Sequence, residues 1–125
     1  MADGTLVSSG SSLNMPTGSG SERLRRATIH SLSDGTQEIL SGTAGHIYTI
    51  LSIIYCDTQG AAGQINIRLN DGSNDIMLVE NHAYGARETF VFNDKFVMEE
   101  NDDLDVRNSG TGGDWIVSYI DQDWT

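Results

Sequence analysis

From Leu24 onward the chain is written in short segments whose apolar positions recur at every second residue, with Gly, Asp, Asn and Ser between them. That period belongs to strands, and no segment carries the three-to-four spacing of an amphipathic helix. Gln64–Asn70 is the clearest case, with Ile65, Ile67 and Leu69 on one side and Gln64, Asn66, Arg68 and Asn70 on the other. It predicts a half-buried strand of an antiparallel sheet. His46–Cys56 differs, because both of its alternating sets are largely apolar. Strict alternation places Ile47, Thr49, Leu51, Ile53 and Tyr55 on one face, and Tyr48, Ile50, Ser52, Ile54 and Cys56 on the other. Such a strand is covered on both sides, or has its outer face in a subunit interface.

The remaining segments follow the same grammar. Ala27–Leu32 leads through Asp34-Gly35, a hairpin-type turn signal, into Thr36–Leu40. Asp71-Gly72-Ser73 turns into Asp75–Glu80, and Ala83-Tyr84-Gly85 reads as a loop before Glu88–Phe92. Lys95–Met98 and Leu104–Arg107 are short, and Trp115–Ile120 ends the pattern with Trp115, Val117 and Tyr119 on one face. About eight or nine strands at this spacing predict an all-β fold, an antiparallel β-sandwich of jelly-roll type. Strand order is not written in the alternation.

The stretch before this pattern has another composition. Residues 1–23 are rich in Gly, Ser and Thr and hold the one proline, Pro16, with Leu6, Val7, Leu13 and Met15 as isolated apolar anchors. So little apolar surface does not offset the entropy of ordering, which predicts a flexible arm before a domain spanning 24–125. The arm has neither the basic start nor the apolar stretch of a secretion signal. No apolar run approaches the roughly 20 residues that cross a bilayer, so a soluble protein is expected.

Charge narrows the partners. The net charge is −11, and all of it lies in the domain, because Arg23, Arg25 and Arg26 outweigh Asp3 and Glu22 in the arm and its junction. A domain this acidic is not expected to bind nucleic acid, whose affinity rests on Lys and Arg meeting phosphates, nor an anionic membrane.

Candidate chemistry is sparse. The single cysteine, Cys56, excludes an intrachain disulfide and a multi-cysteine zinc site, and it ends the most apolar segment, where a small buried hydrophobe is the ordinary role. His30, His46 and His82 share no ligand spacing, and no nucleophile elbow, phosphate loop or dinucleotide fingerprint occurs. Asp71–Asp75 and Glu99–Asp103 have the oxygen-rich composition calcium favours. The first opens like an EF-hand loop, but its twelfth position is His82 and not Glu. We therefore expect no catalytic residue, metal or cofactor. Tyr84 and Trp124, one in a loop and one beyond the last strand, are candidate exposed aromatics for an interface or for stacking on sugar.

The long strand Tyr48–Tyr55, the alternating Ile65–Leu69, Phe96–Met98 before an acidic turn, Leu104-Asp105-Val106-Arg107 and the closing Ile116-Val117-Ser118-Tyr119-Ile120 together form a familiar layout. Between Ala27 and Ile120 it resembles the small jelly-roll proteins of tailed-phage virions, in particular capsid decoration (cement) proteins and related head or tail appendage modules. The resemblance implies a non-enzymatic homotrimer on the outer capsid surface that clamps major capsid subunits and carries no active-site residues. In that setting Leu6, Val7, Leu13, Met15, Arg23, Arg25 and Arg26 are the expected capsid-gripping residues. The alternative is a fibre or tail-tip receptor-binding module that stacks glycan on Tyr84 and Trp124.

Overall fold

The computed structural model describes residues 20–125, so Leu6, Val7, Leu13 and Met15 lie outside the described residues. Nine strands follow one another with no helix among the described residues: β1 (Ser21–Leu32), β2 (Gly35–Ser41), β3 (His46–Asp57), β4 (Gly63–Asn70), β5 (Asp75–Tyr84), β6 (Thr89–Phe92), β7 (Phe96–Met98), β8 (Asp103–Asn108) and β9 (Gly113–Asp123). They form two antiparallel sheets. One runs β1-β9-β3 and then β6, with β7 on the same edge of β3; the other runs β2-β8-β4-β5.

The pairing is nested. β1 pairs with β9, β2 with β8, β3 with β6 and β7, and β4 with β5. The chain is thus one long folded hairpin wrapped across two sheets, the double Greek key of a jelly roll. β6 and β7 act as one strand broken at Asn93–Lys95, taking Ile53–Cys56 and Tyr48–Ile50 of β3 in turn.

The core lies between the sheets. Ile65 and Ile67 of β4, Leu104 and Val106 of β8, and Trp115, Val117 and Tyr119 of β9 all point into it and are buried. Each large apolar side chain removed from water contributes about 1.5–3 kcal/mol. Tilted ring pairs, Tyr55–Trp115 at 4.7 Å and Tyr48–Tyr119 at 5.0 Å between centroids, add about 0.5–1.5 kcal/mol each.

Four sequence expectations need correction. β3 does not alternate strictly: Tyr48 and Ile50 are buried, and then so are Ile53 and Tyr55. An irregularity where Ile50 pairs with Tyr119 and Ser52 with Ser118 inserts Leu51 as an extra residue and flips every later side chain. Asp34-Gly35 does not close a hairpin, because β1 and β2 belong to different sheets. It is the corner where the chain passes between them, whereas Asp71–Asn74 does join a paired β4 and β5. β5 runs on to Tyr84 instead of ending near Glu80. Two register shifts against β4 and Asn81 at φ 49° bend it, a backbone region that Asn tolerates better than most residues. Finally, the strand at the N-terminal end begins at Ser21, so Ser21–Arg23 belong to the sandwich and not to an arm.

Candidate interaction surface

The outer faces of the two sheets differ in kind. That of the four-stranded sheet is charged. Arg68 pairs with Asp105 and Asp75 at 3.3 Å each, and Arg107 with Asp34 at 2.9 Å. Glu38 joins the group, its carboxyl raised above the usual value by desolvation and then by the carboxylates of Asp103 and Asp105.

The five-stranded sheet presents apolar rows instead. Leu24, Ile120, Thr49 and Val97 are successive cross-strand neighbours over β1, β9, β3 and β7. Thr28, Ile116, Ile54 and Val91 make a second row over β1, β9, β3 and β6. Leu24 is 76% exposed, Val97 50% and Val91 47%. Between the rows lies a shallow hollow lined by Leu24, Arg26, Leu51 and Ser118. Isolated exposed apolar residues are ordinary, whereas rows of them across four strands are of the kind that commonly meets a partner. The doubly apolar character of His46–Cys56 was the signal in the sequence, although the bulge changes which residues form each face.

The three arginines stand at positions 23, 25 and 26 of β1, on both of its faces. Arg26, opposite Ser118, stands on the apolar outer face, while Arg23 and Arg25 stand on the other side, opposite Asp121 and Tyr119. Arg25 Nη1 lies 3.4 Å from Asp121 Oδ2, and His46 Nδ1 lies 2.7 Å from Asp121 Oδ1. Asp121 is 3% exposed, so its carboxylate is held between two basic side chains from the strands flanking β9. Arg25 is therefore a structural tie at the end of the sandwich, which the sequence reading did not foresee. On an edge strand the arginines also discourage pairing with a foreign strand.

His30, Ser31 and Asp114 meet at the opposite end. His30 Nδ1 is 3.0 Å from Asp114 Oδ1, and Ser31 Oγ is 3.2 Å from His30 Nε2. The connectivity is that of a charge relay, but the imidazole is 87% exposed and lacks the dry surroundings that make such a relay effective. Asp114 Oδ1 also accepts the Ser31 amide at 2.8 Å, holding Ser31 at φ 53° where β1 leaves its register with β9. The group fastens a strained bend.

The acidic loops spend their carboxylates on themselves. Asp71 accepts the amides of Asn74 and Ser73, which hold its carboxyl below the usual range. Asp102 accepts the Glu99 amide, and Asp103 the Ser41 hydroxyl. Among the described residues no three His, Cys, Asp or Glu side chains converge on one point.

Neither candidate aromatic stands free. Tyr84 is 4% exposed, because the bend in β5 carries it into the core, with its ring 5.0 Å from that of Tyr55. Trp124 is half-buried; its amide donates to Gly45 O at 2.8 Å, and its ring lies across Gly20. A Cβ at Gly20 would come within 2.5 Å of the indole, so a larger residue there would displace the Trp124 ring. The Tyr84 hydroxyl is buried without a hydrogen-bond partner among the described residues. A buried unpaired hydroxyl is a cost. Tyr84→Phe is thus expected to leave the melting temperature unchanged or raise it by a few degrees, measured by thermal circular dichroism. A clear drop would show that the hydroxyl is paired.

No family model matches the chain, and no curated protein matches it significantly. Among solved structures it is similar to one from work described as "Bacillus endospore appendages form a novel family of disulfide-linked pili", at 15% identity and a TM-score of 0.48 over 97% of this chain and 100% of that one. A likeness so low in identity and superposition bears on neither activity nor partner. The jelly-roll topology follows from the strand pairing alone.

Proposed function

We propose that the chain is a non-enzymatic structural protein, a decoration protein on the outer surface of a virion capsid that works as an oligomer. The observation that carries the reading is the division of the surface. One outer sheet face is apolar and open while the rest of the domain is strongly acidic, as in a unit that must join particular neighbours and avoid others. The sequence resemblance supplies the capsid. Among the described residues the buried Asp121 and the exposed His30 are each accounted for by ties between strands, which leaves no competing reaction.

In this reading residues 1–19, followed by Arg23 at the start of β1, engage the capsid, while Arg26 stands on the apolar sheet face. Because β1 begins at Ser21, the informative deletion ends at residue 19 and spares the strand. Purified full-length protein should co-sediment with decoration-free capsids, and the deletion should reduce co-sedimentation at least tenfold while its thermal melt stays unchanged. Failure of the intact chain to bind would overturn the capsid reading. Undiminished binding by the deletion would overturn the role of the arm. The glycan-binding alternative rested on Tyr84 and Trp124, and with one in the core and the other folded over Gly20 no observation favours it.

A further inference from the structure

We infer that the outer face of the five-stranded sheet is a self-association surface, on which a second copy of the chain seats the same face. The inference rests on the assembly reading above, names the surface and the partner that serve it, and replaces the three copies implied by the sequence resemblance with a two-fold pair.

Charge selects the face. Its outward positions on β9 and β3 carry one ionisable carboxylate, Asp114 at the end, and are otherwise Ile116, Ser118, Ile120, Ile54, Thr49 and their neighbours. On β1 the outward charges are Glu22 and Arg26, which oppose one another in sign. The domain beyond the arm is otherwise dense in carboxylates, with the chain at a net −11. On the outer face of the other sheet Asp34, Glu38, Asp75, Asp103 and Asp105 outnumber Arg68 and Arg107, so two copies meeting there bring an excess of carboxylates together. Here they bring apolar rows together, and Arg26 of each copy is available to a carboxylate of the other. An isologous contact asks for this kind of self-complementarity, because each patch meets itself.

Area agrees. Four strand positions at about 4.8 Å and about nine residues at about 3.3 Å give a flat face of roughly 570 Å². Two such faces bury about 1,100 Å² together, past the roughly 1,000 Å² floor for a specific interface and just under the roughly 1,200 Å² at which the standard range begins. Sheets that pack face to face interlock their side chains at about 10 Å separation. The exposed Leu24, Val91 and Val97 stand at the margins of the face, and the partly buried Ile54, Ile116 and Ile120 fill its middle. A second copy is preferred over a foreign partner because self-pairing requires no complementary charge from elsewhere. The contact closes as a two-fold pair.

Light scattering coupled to size-exclusion chromatography tests this on the full chain. The expected mass is twice the 13.6 kDa of one copy, or an even multiple of it. The double variant Val91→Asp, Val97→Asp should halve that mass, and Met77→Asp, on the outer face of the other sheet, should leave it unchanged. If the double variant does not fold by circular dichroism, Leu24→Asp, at the most exposed apolar position, takes its place. A monomeric or three-copy wild type overturns the inference, as does a pair that survives the face variants or is lost in Met77→Asp. Capsid co-sedimentation by the intact chain is scored separately, so loss of the pair with retained binding removes this inference and leaves the assembly reading standing.

Discussion

Asp57→Ala is expected to destabilise the domain by about 3 kcal/mol, which lowers the melting temperature by roughly 12–20 °C in a domain of this size. Asp57 ends β3 and is 3% exposed. Its carboxylate accepts the amides of Arg87 at 2.8 Å, Gly60 and Ala61 at 3.1 Å each, and Gln59 at 3.2 Å. Those amides come from the turn before β4 and from the loop between β5 and β6, so one side chain fixes two connections at the same end of the sandwich. Charge-assisted bonds of this kind are worth about 1.5–3 kcal/mol singly, and less when several share one acceptor. Without the carboxylate the amides face each other with no acceptor.

The sign of the pH dependence follows. The Arg87 amide bond is the largest cause holding the Asp57 carboxyl below its ordinary range, with the other three amides adding to it against partial desolvation. A folded value below the unfolded one contributes stability that is fully present above about pH 4, the unfolded value, and is lost as pH falls through the folded value. The gap in melting temperature between wild type and Asp57→Asn should therefore be wide at pH 7 and narrow in acid. A gap independent of pH would show that the carboxylate's charge is not what holds the loops.

How much of this was legible beforehand depended on whether a feature is local. The inward sets of β4 and β9 were read correctly because their alternation is unbroken over the whole strand. β3 was read with the right length and the wrong parity beyond Leu51, since a bulge is one residue whose insertion is decided by the partner strand. Tyr84 was misplaced for the same reason, because Asn81 and two register shifts turn β5 inward with no apolar pattern to announce it. β1 looked like an arm up to Arg23 because an edge strand overhanging the core needs no apolar alternation. Its register is set by β9 across nearly the full length of the chain. Strand order belongs wholly to such distant pairings. The apolar outer face, by contrast, was visible in His46–Cys56, where two apolar faces on one strand had only one core to fill. The Asp121 tie was invisible, since Arg25, His46 and Asp121 meet only when β1, β9 and β3 lie side by side.

Asn108 marks the opposite extreme, a polar residue that the apolar pattern passes over and on which the core depends. It is fully buried at the end of β8. Its Nδ2 donates to Leu32 O at 3.0 Å and to Gly110 O at 2.8 Å, and its Oδ1 accepts Trp115 Nε1 at 2.9 Å. The side chain so joins the end of β1, the loop before β9 and the largest core aromatic. A Cβ at Gly113 would come within 2.6 Å of that Oδ1, so the backbone of β9 is drawn up against the amide. Asn108→Leu keeps the volume and removes every partner, leaving the Trp115 N–H and the Leu32 carbonyl buried and unpaired at about 1–3 kcal/mol each. The expected loss is about 3–4 kcal/mol, read as a fall in the urea midpoint with an unchanged slope. Asn108→Asp should be at least as damaging at pH 7, because it replaces two donors with a buried charge facing two carbonyls. Protonation returns one donor, so unlike Asn108→Leu it should recover part of its deficit as pH falls. Equal deficits at both pH values would mean that shape, and not hydrogen bonding, is what Asn108 supplies.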